Sequence, residues 1–258
     1  MNFIPLLETV CSLSIQAGEA ILDIYNGQRR GEFLLKADES PLTLADQASH
    51  RIITSGLAGL TPEIPCLSEE GSIPSYEIRA HWDYFWCVDP LDGTKEFLQR
   101  NGEFTVNIAL IHQRMPVLAA IYIPVSGTLY YGTQATGSWK RSPDGSLVAL
   151  RADNAASQWT AVRSRSHASE EELQLLKAYP VVAQIAAGSS LKFCLVAEGL
   201  AHFYYRHGPT MEWDTAAGHL IVECSGGILT TPTGDPFLYN KPSLTNGPFI
   251  CRVGHPGI

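Results

Sequence analysis

The run Trp86-Cys87-Val88-Asp89-Pro90-Leu91-Asp92-Gly93-Thr94 ends an apolar stretch in two carboxylates three residues apart, then passes into a Gly-Thr pair. An apolar run of this kind signals a buried strand, so the strand delivers charge to its own end. Pro90 fixes one φ angle and Gly93 permits a tight backbone, which lets both acids and the Leu91 carbonyl converge on one hard cation such as magnesium. The plainer reading of the same residues is an Asx-turn in which Asp92 caps a following helix.

Outward from this run, the segment from residue 63 to about 150 holds further short strand-like stretches. They lie at Ile64 to Leu67, Phe104 to His112, Val117 to Ile123 and Leu129 to Tyr131, separated by turn residues such as Pro116, Pro124, Gly127 and Gly137. Upstream, Leu7, Val10, Cys11, Ser14, Ala17, Gly18, Ile21, Leu22 and Tyr25 recur at three- and four-residue intervals, the spacing of one helical stripe. Ala45, Ala48, Ile52, Ile53 and Leu57 repeat that period between Pro41 and Thr61-Pro62. The first half therefore reads as a helix pair on an antiparallel meander. Beyond about 155 strands and helices alternate: strands at 160–164, 201–206, 227–231 and 249–253, helices near 169–178, 190–199 and 215–224. The fold class is a layered α+β and α/β sandwich, with a soft boundary between residues 1–150 and 151–258.

A chain of 258 residues with 45% apolar and 17% charged content buries a sizeable core and folds unaided. Its formal charge of −8 argues against general affinity for nucleic acid or an anionic membrane, both of which need clustered Lys and Arg. The six cysteines are scattered within apolar runs and form no Cys-x-x-Cys pairs, so zinc is not indicated and a reducing cytoplasm fits. No stretch reaches the roughly 18 uninterrupted apolar residues of a membrane span, and no signal peptide is evident at the N-terminus.

Acids stand at the edges of apolar elements in three further places. Ser68-Glu69-Glu70-Gly71 closes the strand at 64–67, Trp213-Asp214-Thr215-Ala216-Ala217 puts Asp214 at a helix N-cap, and Asp46 lies near the start of the second helix. Singly, each reads as a solvated loop, a cap or a dipole partner. Together they would repel one another unless cations gathered them.

The metal-binding segment Asp89-Pro90-Leu91-Asp92-Gly93-Thr94 and the downstream Trp213-Asp214-Thr215-Ala216-Ala217-Gly218 resemble the two signatures of the inositol monophosphatase superfamily, over nearly the whole chain. Lys95-Glu96-Phe97, Ser164-Arg165-Ser166-His167 and Gly188-Ser189-Ser190-Leu191-Lys192-Phe193-Cys194 look like its bacterial 3′(2′),5′-bisphosphate nucleotidase branch. The resemblance implies alternating α and β layers and a lithium-sensitive phosphomonoesterase using two or three Mg2+ ions. Glu69, Asp89 and the Leu91 carbonyl would hold the first ion, and Asp89, Asp92 and Asp214 the second, with a weaker third near Glu69. Thr94 and Asp46 would orient and deprotonate the attacking water, and the Gly93 and Thr94 N–H groups would cradle the phosphate. His167, Ser189, Lys192 and Arg206 would bind the rest of the substrate. Most metal ligands thus fall in the first half, and Asp214 with the substrate-binding residues in the second. The implied substrate is 3′-phosphoadenosine 5′-phosphate, cleaved to AMP and phosphate in sulfur metabolism; an inositol or sugar phosphate is the alternative. Relatives of this class are often dimers, although no apolar face in the sequence fixes one. Loose peripheral association with the inner membrane also stays open, as does a ligand role for Glu70.

Two other classes compete. Haloacid dehalogenase-type phosphatases also end a buried strand in Asp, Asp, Gly and Thr, but one residue separates their acids, whereas Pro90 and Leu91 intervene here. That spacer favours a water nucleophile over an aspartyl-phosphate. A metal-stabilised binding module lacks support because there is no EF-hand loop, and all the ligand positions and Thr94 are retained.

Overall fold

The computed structural model describes residues 3–27, 41–165 and 170–254. Helix α1 (Ile4–Tyr25) buries Leu7, Val10, Cys11, Ser14, Ala17, Gly18, Ile21 and Tyr25 along one stripe, as its periodicity requires. Helix α2 (Pro41–Leu60) lies against it. The contact is close: a Cβ added at Gly56 would fall 2.2 Å from the Leu13 side chain.

The pair covers a seven-stranded sheet ordered β1-β2-β3-β4-β5-β6-β7. Its strands are Cys66–Ser68, Tyr84–Asp92, Thr105–His112, Met115–Ile123, Thr128–Thr133, Gly137–Arg141 and Leu147–Ala149. Alternate residues serve two cores, since strand side chains alternate between faces. Trp86, Val88, Val106, Ile108 and Leu110 pack toward the helix pair, whereas Phe85, Cys87, Ala109 and Ile111 pack toward the second half. Burial on both faces is why β2 and β3 read as continuous apolar runs rather than as alternating ones. The short helices α3 (Tyr76–Arg79) and α4 (Thr94–Gln99) flank β2 in the chain.

The second half contributes β8 (Trp159–Ser164), α5 (Glu170–Leu176), β9 (Val181–Ala187), α6 (Leu191–Ala197), β10 (Phe203–Arg206), β11 (Thr210–Met211), α7 (Glu212–Cys224), β12 (Gly227–Thr230), β13 (Thr245–Asn246) and β14 (Phe249–Val253). A five-stranded sheet runs β12-β14-β10-β8-β9, and β11 pairs with β13 in a separate ribbon. Helices α6 and α7 pack between the two sheets, α7 touching β3 to β6 on one side and β12 on the other. The order of layers is helix pair, seven-stranded sheet, helix pair, five-stranded sheet, the alternation the sequence led us to expect. One core cluster contains residues of both halves, from Leu67 to Val253.

Four features depart from the sequence reading. Strand β1 is parallel to β2, not part of the antiparallel meander. The meander runs on through β6 and β7, where Gly137 had suggested only a turn; β7 is fully exposed and so carries no burial pattern. Strand β9 went unread because its apolar residues lie on an open edge, with Val182 65% exposed. Helix α7 begins at Glu212, so Asp214 is its third residue and Met211 its N-cap.

Candidate active site

Four chain segments converge on one cleft of about 300 Å3, lined among others by Glu69, Asp89, Leu91, Asp92, Gly93, Thr94, Ser189, Lys192, Arg206 and Asp214. The parallel pairing of β1 with β2 is what makes this possible. Ser68 stands beside Val88, so both strands exit at the same end and Glu69 emerges next to Asp89. An antiparallel β1 would have placed Glu69 at the far end of the strand.

A bulge brings the two aspartates together. Residues three apart on a regular strand point to opposite faces. Here Asp89 pairs with Asn107 and Asp92 with Thr105, so three steps along β2 match two along β3 and the extra residue resets the alternation. The Pro90 carbonyl accepts a 2.7 Å hydrogen bond from Ser49 Oγ on α2, and the Leu91 N–H donates to Asp89 Oδ1 at 3.0 Å. The turn then passes through Gly93 at φ +101°, a left-handed conformation that suits glycine, and a Cβ there would meet the Phe104 backbone at 3.2 Å. Gly93, rather than Asp92, is the N-cap of α4.

Asp92 is held by hydroxyls. Its Oδ2 accepts from Ser189 Oγ at 2.6 Å and from Ser190 Oγ at 3.1 Å. Asp214, in the first turn of α7, accepts from the Met211 N–H at 2.8 Å. Burial above all raises the pKa of Glu69, and the charges of Asp92 and Glu70 push it the same way.

Electrostatics mark the cluster. Asp89 is 1% exposed, and its pKa is driven far above the usual range by burial and then by the charges of Asp92, Glu69, Asp214 and Asp46. Asp214 is raised to about 7, by burial first and by Asp92 second. Asp46 is also raised to about 7, by burial and the charges of Glu70 and Glu69, although it does not line the cleft. Among the described residues no group of three or more His, Cys, Asp or Glu side chains is placed so that it could hold a metal ion as it stands. Instead Asp89, Asp92 and Asp214 accept from hydroxyl and N–H donors. The donor set is nevertheless hard oxygen throughout, and its self-repulsion is relieved by protons or by cations competing for the same oxygens. The residues therefore fit a magnesium-type site.

The opposite wall is basic. Lys192 is buried, donates to the Ser189 carbonyl at 2.5 Å, and sits 5.5 Å from the centre of the Tyr204 ring. Burial lowers its pKa, against the pull of Asp92. Arg206 lines the cleft with a buried Nε that has no hydrogen-bond partner. Tyr204, two residues before Arg206 on β10, lines it too; period-two alternation from Arg206 would have pointed to it. Thr210 and Phe249 also line the cleft and carried no comparable signal, and the buried Glu96, from the Lys95-Glu96-Phe97 stretch that the resemblance had marked, lines it as well. His167, expected to bind substrate, lies outside the described residues.

The chain matches the model of the inositol monophosphatase family over residues 4–254. It is 48% identical to the 3′(2′),5′-bisphosphate nucleotidase CysQ of Salmonella typhimurium, over 86% of this chain and 88% of that protein. It is 45% identical to the CysQ of Escherichia coli K12, over 96% of this chain and the whole of the other. The crystal structure of CysQ from Bacteroides thetaiotaomicron superposes with a TM-score of 0.87 at 40% identity, covering 98% of both chains. The inositol monophosphatase of Thermotoga maritima has a TM-score of 0.76 at 19% identity, a likeness of fold alone.

Proposed function

This chain belongs to the inositol monophosphatase family, and from that membership we propose that it is a 3′(2′),5′-bisphosphate nucleotidase, cleaving 3′-phosphoadenosine 5′-phosphate to AMP and phosphate. One observation carries the reading: a single cleft sets the carboxylates of Glu69, Asp89, Asp92 and Asp214 against the cations Lys192 and Arg206. The carboxylate wall suits the scissile phosphate, and the basic wall suits a second phosphate on the same nucleotide.

The family is in general metal-dependent. Glu69, Asp89, the Leu91 carbonyl, Asp92 and Asp214 would hold two or three Mg2+ ions, which when bound supply the positive charge that activates water and neutralises the leaving oxygen. The protein's own groups do the rest. Thr94, which lines the cleft, orients the attacking water, and Asp46, which does not line it, takes up the water's proton by way of Thr94. The Gly93 and Thr94 N–H groups cradle the phosphate oxygens, and Ser189, Lys192, Arg206 and His167 seat the nucleotide. No residue becomes phosphorylated. We place the enzyme in the reducing cytoplasm, in keeping with six free cysteines, and expect millimolar-range lithium to inhibit it.

The test is kcat/KM for 3′-phosphoadenosine 5′-phosphate against inositol 1-phosphate at fixed magnesium. We expect the nucleotide to be preferred by a factor of about one hundred or more, the scale of a lost charge-assisted phosphate contact. Preference for inositol 1-phosphate would overturn the substrate assignment, and release of phosphate unaffected by chelation would overturn the metal site.

A further inference from the structure

Behind the cleft, β3 presents two polar side chains to a site they do not line. Thr105 is 0% exposed and Asn107 is 1% exposed, and the bulge in β2 aligns them with Asp92 and Asp89. Thr105 Oγ1 lies 2.6 Å from Ser189 Oγ, and Asn107 Nδ2 donates to Ser190 Oγ at 3.0 Å. Both serines point at Asp92 Oδ2.

The direction of these bonds follows from proton count. Ser189 Oγ donates its one hydroxyl proton to Asp92 Oδ2. The contact between Thr105 and Ser189 must then run from the threonine. Ser190 has one proton within reach of two acceptors, Asp92 Oδ2 at 3.1 Å and the Asp214 carbonyl at 3.2 Å, while it accepts from Asn107. It thereby joins the end of β2 to the first turn of α7, the two elements that carry Asp92 and Asp214.

Local preference runs against this arrangement. Ser189 holds φ +48°, a left-handed conformation costly to a residue with a Cβ. Ser190 is the N-cap of α6, yet its hydroxyl makes no capping bond. Ser189 takes a left-handed backbone, Ser190 leaves its helix without a side-chain cap, and both hydroxyls go to one carboxylate oxygen.

We propose that Thr105 and Ser190, with Asn107 bracing Ser190, are positioning residues that hold Asp92 Oδ2 and so fix the carboxylate in the orientation in which it would bind a cation together with Asp214. The proposal rests on the reading that Asp92 and Asp214 bind a divalent ion. Because Ser189 also lines the cleft, the same relay ties the substrate wall to the metal wall.

The test is binding of Mn2+ to the intact chain, read from the electron paramagnetic resonance signal of the free ion, without substrate. Asp92→Asn serves as the reference and should lose one site. Thr105→Val and Ser190→Ala should weaken that same site about tenfold, the effect typical of removing a partner that orients a metal ligand. Thr105→Ser, which keeps the hydroxyl, should restore it. Coincident isotherms for Thr105→Val, Ser190→Ala and the parent, with Asp92→Asn still losing a site, would overturn the proposal alone. If Asp92→Asn also binds like the parent, the metal assignment falls and the proposal with it. Weakening that Thr105→Ser fails to rescue and that tracks a lowered Tm marks a packing role, which also overturns it.

Discussion

Asp89 is buried within reach of four other acids, Asp92, Glu69, Asp214 and Asp46, so its charge is both the most valuable and the most costly in the cleft. Two consequences of opposite sign follow for Asp89→Asn. Turnover should fall by about a thousandfold or more, since a ligand serving two cations is gone. In chelator the variant should melt no lower than the parent, because an amide matches the shape of the protonated carboxyl that burial and its acidic neighbours favour there. Equal turnover, or a collapse of Tm in chelator, would remove Asp89 from the centre of the site. Arg206 supports a different forecast. Its unpartnered buried Nε and its place on the basic wall suit the phosphate that is not cleaved. Arg206→Met should raise KM for the bisphosphate about tenfold or more with a smaller effect on kcat, the signature of lost ground-state binding. A pure kcat effect would refute that placement.

At the scale of elements, the site depends on two backbone devices beside β2: the bulge between Asp89 and Asp92, and the left-handed turn at Gly93. Gly93→Ala should destabilise the protein by about 1–2 kcal/mol, since it forces a Cβ into φ +101° and toward the Phe104 backbone. Chemical denaturation would measure this directly, and an unchanged midpoint would mean that the turn can relax. These elements also show what was legible before the structure. The helix pair and the strands β2 to β5 were readable because burial on one stripe or on two faces imprints a pattern. Strands β7 and β9 were not, because exposed edges impose no such constraint. The direction of β1 was also unreadable: three residues carry no mark of parallel or antiparallel pairing, and only the docking of Glu69 beside Asp89 reveals it. The acids were found by their position at element ends. Thr105 and Asn107 were missed because, in a run as apolar as Thr105-Val106-Asn107-Ile108, they read as ordinary strand residues.

At the scale of the molecule, the cleft lies where the layers meet. Glu69, Asp89 and Asp92 come from the seven-stranded sheet, while Asp214, Ser189 and Lys192 come with α7 and α6 from the second half. Whatever neutralises the acids therefore bears on how the halves hold together. With cations chelated, protons must do it: Asp46 and Asp214 each have a folded pKa near 7 against an ordinary value of 3.8. A raised carboxyl pKa means that the folded state binds more protons than the unfolded chain between about pH 4 and pH 7. Stability from these groups is therefore full below about pH 4 and lost as pH rises through 7. The chelated protein should show a Tm that declines from pH 5 to pH 8, opposite to the gain expected of carboxylates held by salt bridges. Magnesium should reverse the trend, because cations compete best where the protons have left. At one hundred times its dissociation constant a bound ion contributes about 2.7 kcal/mol, so the rise in Tm on adding magnesium should be large at pH 8 and small at pH 5. Calorimetric scans across that range, with and without the ion, decide the matter. A magnesium effect independent of pH would mean that the raised pKa values and the cation site do not share the same oxygens.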